Sequence, residues 1–355
     1  MKLKHFIFGL SLMIAGFLGG NTQPVHAESL NFDVGAVLPD NQANKDVTYF
    51  DLLVKPNAEQ NLQVRINNKD SQEHQYKVAV NRAVTNRNGV IDYSDHGKKA
   101  DKSLLYDIEK YTTKPQTVTV PAKTSQVVTI NLKTPAKSFD GVMLGGVRVM
   151  QVDQAKATSK KGVTLTNRFA YVIGLQLHEN DTKIKPDLHL LKVTPKQLNY
   201  RNYITVTLQN NQPTIMRDFN VNAVVTKRGS TKKVINYKKN NMSMAPNSNF
   251  ALPLGDQGYQ LEPGKYTLTL KANADSKKYS WKFTKNFEIT SDQAKKLNST
   301  SVDQPEKKNN YMIWLLIIGI IVILLLIILI IILLKRKKDD DDENQKANTK
   351  SADQK

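Results

Sequence analysis

From Phe50 onward, apolar residues recur at every second position rather than every third or fourth. Phe50, Leu52 and Val54 share one parity, as do Leu62, Val64 and Ile66, then Tyr76, Val78 and Val80, then Val128, Ile130 and Leu132. Phe169, Tyr171, Ile173, Leu175 and Leu177 extend the pattern to five in a row. A second group follows: Ile204, Val206, Leu208; Phe219, Val221, Ala223, Val225; Tyr266, Leu268, Leu270, Ala272; and Trp281, Phe283, Phe287, Ile289. Successive side chains of a strand point to opposite faces, so this spacing predicts strands with one buried and one wet face, as in antiparallel sheets. Turn signals punctuate the runs: "RNGV" at 87–90, "KRGS" at 227–230 and "LEPGKY" at 261–266. Many short strands with frequent turns predict an all-β fold of two tandem immunoglobulin-like antiparallel β-sandwich domains. At Gly145 and Gly146 the parity of Val142 and Leu144 shifts to that of Val147 and Val149, which predicts a bulge.

Breaks in the alternation set the expected boundaries. Asn180 to Asp187 is polar and separates the two groups, so the domains are placed at 28–182 and 183–290. Thr290 to Asn310 loses alternation, and residues 291–311 read as a polar stalk holding one short helical turn. Residues 312–334 then run for 23 positions without a charge. As a helix they would reach roughly 35 Å, enough for a hydrocarbon core of about 30 Å, and no polar face is available for burial against protein. A single transmembrane helix is expected, with Tyr311 and Trp314 at the headgroup level. Lys335, Arg336, Lys337 and Lys338 form a stop-transfer block that retains residues 335–355 in the cytoplasm. Asp339 to Asp342 count little in that rule and are read as solubilising a short tail. At the other end, "MKLKH", the apolar run Phe6 to Leu18 and "VHA" at 25–27 form a signal peptide over residues 1–27. The chain is therefore expected at the cell surface, in the membrane by one helix, with its N-terminal domains outside.

Composition narrows the chemistry. The chain has no cysteine, so an exported domain cannot rely on disulfides and must rest on its apolar core. Two of the six histidines fall in the leader; His74, His96, His178 and His189 are scattered. Asp187 and His189 share a strand face, and without a third ligand nearby they read as a surface pair rather than a metal site. No H-E-x-x-H or G-x-S-x-G run occurs, and neither an enzyme activity nor a cofactor is expected.

Charge is uneven. Residues 28–182 hold 20 Lys and Arg against 17 Asp and Glu, a net of +3, while residues 183–290 hold 18 against 6, a net of +12. That exceeds the magnitude of about 2–8 that suits a small domain and favours an anionic partner: a wall polymer, lipid headgroups or an acidic protein. The exported location disfavours nucleic acid. The candidate anion-binding residues are Lys227, Arg228, Lys232 and Lys233 around a predicted hairpin, with Lys238 and Lys239 beyond it.

Two sets of segments resemble a known family. "FDVGAVLPDNQANKDVTYFDLLVKPNAEQNLQVRINN" and "AVTNRNGVIDYSD" are similar to the first domain of the WxL-interacting proteins of Gram-positive bacteria. "YVIGLQLHEN", "PDLHLLKV", "MSMAPNSNFALPL" and "LEPGKYTLTLKA" are similar to their second domain, whose likeness begins near residue 163, before the break at 182. The most specific pieces are "GVIDY" and "APNSNF"; Tyr93 and Asn247 within them read as core and turn residues. The resemblance implies a non-catalytic surface protein. Its first domain would bind peptidoglycan and its second host extracellular proteins, in a complex with WxL-domain surface proteins. The rival expectation is an accessory subunit of a membrane-bound export or wall-synthesis machine. The single glycine of "IIGII" offers no small-xxx-small face for helix packing, which favours a plain anchor.

Overall fold

The computed structural model describes residues 31–94, 97, 99–152, 169–255, 258–303 and 311–352. The expected signal peptide, residues 153–168 and His96 lie outside the described residues. Strands form where the alternation runs. The first set is β1 (Phe32–Val37), β2 (Phe50–Leu53), β3 (Glu59–Asn68), β4 (His74–Arg82), β5 (Val84–Thr85), β6 (Ile91–Asp92), β7 (Gln116–Val120), β8 (Ser125–Lys133), β9 (Met143–Gln151) and β10 (Ala170–His178). The second is β11 (Leu188–Leu198), β12 (Arg201–Asn210), β13 (Met216–Lys227), β14 (Lys233–Met244), β15 (Ser248–Leu254), β16 (Gly264–Ala274) and β17 (Tyr279–Ile289). Two helices follow, α1 (Ser291–Ser299) and α2 (Tyr311–Ala352).

Each set makes a sandwich. A three-stranded sheet β1-β3-β8 faces a five-stranded sheet β2-β10-β9-β4-β7, and β11-β12-β15 faces β14-β13-β16-β17. The inward parity buries Phe50, Leu52, Leu62, Val64, Ile66, Tyr76, Leu175 and Leu177 in one core. Val206, Leu208, Phe219, Ala223, Leu268 and Leu270 are buried in the other. Burying each such large side chain stabilises by about 1.5–3 kcal/mol, and these cores carry the fold without cross-links. Strand β10 pairs antiparallel with β9 and parallel with β2, so the five-residue alternation belongs to the first sheet system.

Two expectations are corrected. Gly145 and Gly146 make no bulge: β9 runs in unbroken register with both β4 and β10. The glycines are there for space. A Cβ on Gly145 would lie 2.7 Å from Ile108 Cγ2 and 2.8 Å from the Asn81 carbonyl, and one on Gly146 would lie 2.9 Å from the Tyr93 ring. Residues 291–299 are not stalk. They form α1, closed by a capping box in which Thr290 and Gln293 exchange hydrogen bonds. Ala294 is buried in the second core, Leu297 packs against it, and Asn298 bonds the Leu261 backbone through both its side-chain groups. A polar segment without strand period still had an apolar face at helical spacing.

Helix α2 is continuous for 42 residues. Trp314–Lys335 has a mean hydropathy of 4.0 and none of its length is buried against protein. The helix continues through the charged run, which the sequence reading took as a short solubilising tail.

Candidate binding surfaces

The six candidate cationic residues do not form one patch. Lys227 ends β13, Arg228 lies in the turn, and Lys232 and Lys233 lead into β14, all exposed. Lys227 Nζ lies 2.8 Å from Glu262 Oε2. The hydrogen bond, and then the charge, push the Lys227 ammonium above its usual value and hold Glu262 below the usual carboxylate value. Lys238 and Lys239 are strand neighbours and so point to opposite faces. Lys238 is paired with Asn222 and faces outward, whereas Lys239 is paired with the core residue Val221. The sheet's other edge repeats the device: Lys285 on β17 is paired with buried Leu268, and its Nζ donates to the Leu191 carbonyl at 2.7 Å. Inward-pointing lysines on edge strands blunt them against pairing with another chain, which accounts for Lys239 structurally.

The outward face of the same sheet carries a row that sequence order hides. Lys238 stands beside Asn222, Asn222 beside Lys271, and Lys271 directly opposite Lys282. Lys238, Lys271 and Lys282 are exposed. Strands lie about 4.8 Å apart, so the row places three ammonium groups across one short line. Like charges directly opposite each other are destabilising. Lys271 and Lys282 were missed because the numbering gap hides their pairing; their outward parity was the readable signal.

The first sandwich has a different outer face. Tyr49 is partly exposed and lies across Gly174, where a Cβ would be 3.6 Å from it. Beside it Gln176 Nε2 donates to Asp51 Oδ1 at 2.8 Å, and His178 Nε2 lies 3.4 Å from the same oxygen. Asp187 and His189 meet at 2.8 Å, and Asn211 Nδ2 also reaches the His189 ring, at 3.0 Å. Among the described residues no group of three or more His, Cys, Asp or Glu side chains converges as a metal site would.

The segments "GVIDY" and "APNSNF" meet at the joint between the sandwiches. In the turn after β5, Asn86 Oδ1 accepts from the N–H groups of Asn88 and Val90, and Gly89 takes φ +69°. The Gly89 carbonyl then accepts from Ser243 N at 2.7 Å, and a Cβ there would strike Met242. Thr85, fully buried, accepts from Ala245 N at 3.0 Å and bonds Ser248 Oγ at 2.8 Å. Asn247, at φ +44°, donates to the Ser103 carbonyl at 3.0 Å, and Val142 N donates to the Pro213 carbonyl at 2.7 Å. Asp101 accepts from Asn249 and from Gln209 of the second sandwich. Burial alone would raise the Asp101 carboxyl, but the bonds from Asn249, Ser103 and Gln209 outweigh it and hold the group below its usual value. Tyr93 packs on Gly146, and burial raises its hydroxyl.

Comparison with known proteins follows the two sandwiches. Residues 32–151 match a family described as the WxL Interacting Protein peptidoglycan binding domain. Residues 160–299 match its host binding domain, which takes in β10 at its start and α1 at its end. No curated protein matches. Among solved structures, the YadV chaperone is 13% identical, covering 73% of this chain and 100% of its own, at a TM-score of 0.30. The Escherichia coli chaperone DraB is 15% identical over 73% of this chain and 95% of its own, at 0.27. The Pseudomonas aeruginosa CupB2 chaperone is 12% identical over 65% and 92%, at 0.26. TM-scores of that size carry no argument here. Both matched families are binding domains rather than enzymes, and together they span residues 32–299 in the order in which the sandwiches occur; the chain belongs to the WxL-interacting protein family.

Proposed function

We propose that the chain is a membrane-anchored surface protein whose first sandwich holds peptidoglycan and whose second holds protein partners, host proteins and WxL-domain proteins among them. The observation that carries this reading is the tandem match of a peptidoglycan-binding and a host-binding family across 32–299, followed by an apolar helix with no protein cover. On the first sandwich, the part-exposed Tyr49 ring supplies an aromatic face that suits a sugar ring, and beside it the buried Asp51 holds Gln176 and His178 in place. On the second, the Lys238–Lys271–Lys282 row takes an anionic wall polymer, whose phosphates relieve the Lys271–Lys282 repulsion. Lys335 to Lys338 hold the tail inside by the positive-inside bias, and the surface complex assembles on the outer face.

The test is co-sedimentation of the detergent-solubilised full chain with purified sacculi, with and without their anionic polymers, across a salt series. Binding to stripped sacculi should persist to 1 M salt, because it rests on shape and hydrogen bonds, and should fall with Tyr49→Ala. Sacculi that keep their polymers should show added binding that disappears as the screening length shrinks from about 8 Å at physiological salt to about 3 Å at 1 M. Failure to sediment with stripped sacculi at any salt would overturn the peptidoglycan assignment.

A further inference from the structure

The basic hairpin is also the rim of a cavity. Between the start of β14 and residues 259–262 the second sandwich is open, and a cavity of about 470 Å3 lies there. Its floor is made by Ile204, Val225, Ile235, Leu261 and Phe287, with Lys232 and Lys233 at the mouth. Ile204, Val225 and Leu261 are buried core residues, so the cavity reaches the space between the two sheets. A volume within about 300–1,000 Å3, an apolar lining and a few charged groups are the marks of a binding pocket.

The backbone is shaped around it. Lys233 pairs with Thr226 and Ile235 with Val225, which leaves Val234 as the extra residue of a β-bulge. Bulges at sheet edges re-aim side chains and recur beside functional sites. Val234 lines the cavity and is 52% exposed. Protection of the edge against pairing explains lysines on β14, but it explains neither an apolar cavity behind them nor an exposed valine at its mouth. The carboxylate on the rim, Glu262, is already held by Lys227, so it does not set the sign of the mouth.

We propose that this cavity is a socket for an apolar side chain of an acidic partner segment, with Lys232 and Lys233 receiving the flanking carboxylates. The inference rests on the reading of the second sandwich as the protein-binding half and names the chemistry of its partner. Charge complementarity favours the acidic segment: residues 183–290 carry 18 Lys and Arg against 6 Asp and Glu.

The test uses the full chain in phosphatidylcholine nanodiscs and two blocked peptides, EEDWDEE and EEDGDEE, titrated by calorimetry at about 0.15 M salt. The tryptophan peptide should bind at least tenfold tighter than its glycine counterpart. Val234→Glu should abolish that difference, with Val234→Asn substituted if the first variant loses its circular dichroism. Lys232→Glu together with Lys233→Glu should weaken both peptides. Equal affinity for the two peptides would mean attraction by charge alone and would overturn the socket. So would tryptophan-peptide binding that survives both Val234 variants, or no binding by either peptide. In a parallel arm dioctanoyl phosphatidic acid is titrated. If it depends on Val234 and Lys232 while the peptide does not, the occupant is an anionic lipid and the proposal falls. Sedimentation with stripped sacculi on the same preparation reports the first sandwich separately, so failure of the socket is distinguishable from failure of the wall-binding reading.

Discussion

Replacing Lys282 by glutamate should move stability and polymer binding in opposite directions. In the native sheet Lys282 on β17 stands directly opposite Lys271 on β16, and both are exposed. A cross-strand pair of opposite charge contributes roughly 0.2–1 kcal/mol, and a like-charge pair is destabilising. Lys282→Glu converts one into the other, so the second sandwich should gain roughly 0.4–2 kcal/mol, taking the like-charge penalty as similar in size. Side-chain packing is little disturbed, because position 282 points away from the core while its neighbours Trp281 and Phe283 point toward it. The readout is built in: the chain has two tryptophans, Trp281 in this strand and Trp314 in the apolar helix, so Trp281 fluorescence follows urea unfolding of the second sandwich. The gain should shrink at 1 M salt, where screening acts over about 3 Å, less than the strand spacing. Over the same range the variant should lose the salt-sensitive part of its binding to polymer-bearing sacculi. A variant less stable than the parent at low salt, or more stable but with unchanged polymer binding, would refute the view that the row keeps an unfavourable charge arrangement for a ligand.

At the joint, Thr85→Val keeps the shape but leaves the Ala245 N–H buried without its acceptor, at a cost of about 1–3 kcal/mol. Hydrogen exchange of the peptide around 242–248 should quicken by about tenfold or more in the full chain, while the β9 amides stay protected. The Asp101 carboxyl is held below its ordinary value of 3.8 in the folded state, so its contribution is complete above that value and is lost as pH falls through the lower folded value. Acid weakening of the joint as pH falls below the ordinary carboxylate value should be reduced in Asp101→Asn, as followed by the pH dependence of the denaturation midpoint. Gly145→Ala should destabilise the first sandwich. Contacts of 2.7 Å and 2.8 Å to Ile108 and the Asn81 carbonyl imply overpacking of about 1–3 kcal/mol, which outweighs the roughly 0.4–1 kcal/mol gained by restricting the unfolded chain. Circular dichroism during urea unfolding measures it.

The alternation of apolar residues by itself determined that the chain is built of strands, most of the side chains each strand buries (Phe169, placed in the inward set, precedes β10 and is exposed), and that a charge-free run of 23 residues forms a helix of another kind. These are local properties: parity follows from the two-residue repeat of a strand, and spanning capacity from length and composition. The tertiary structure decided everything that depends on a neighbour. Parity placed Lys238, Lys271 and Lys282 outward, but only the pairing of β14, β13, β16 and β17 brought them into one row, and it separated Lys239 from Lys238. Thr85 and Ser248 lie 163 positions apart in sequence and share a hydrogen bond, which no local pattern announces. The glycine pair in β9 read as a bulge because Val142 and Leu144 look out of phase with Val147 and Val149, but Val142 precedes the strand and Leu144 lies on its outer face, and what the glycines make room for, Ile108 and Tyr93, comes from elsewhere in the chain. Helix α1 looked like linker because its apolar face is small, and Ala294 becomes a core residue only once the second sandwich supplies the surface that buries it. Strand parity is set by bond geometry within a few residues; strand order, register and docking are set by which distant surfaces exclude water together, and that choice exists only in the folded chain.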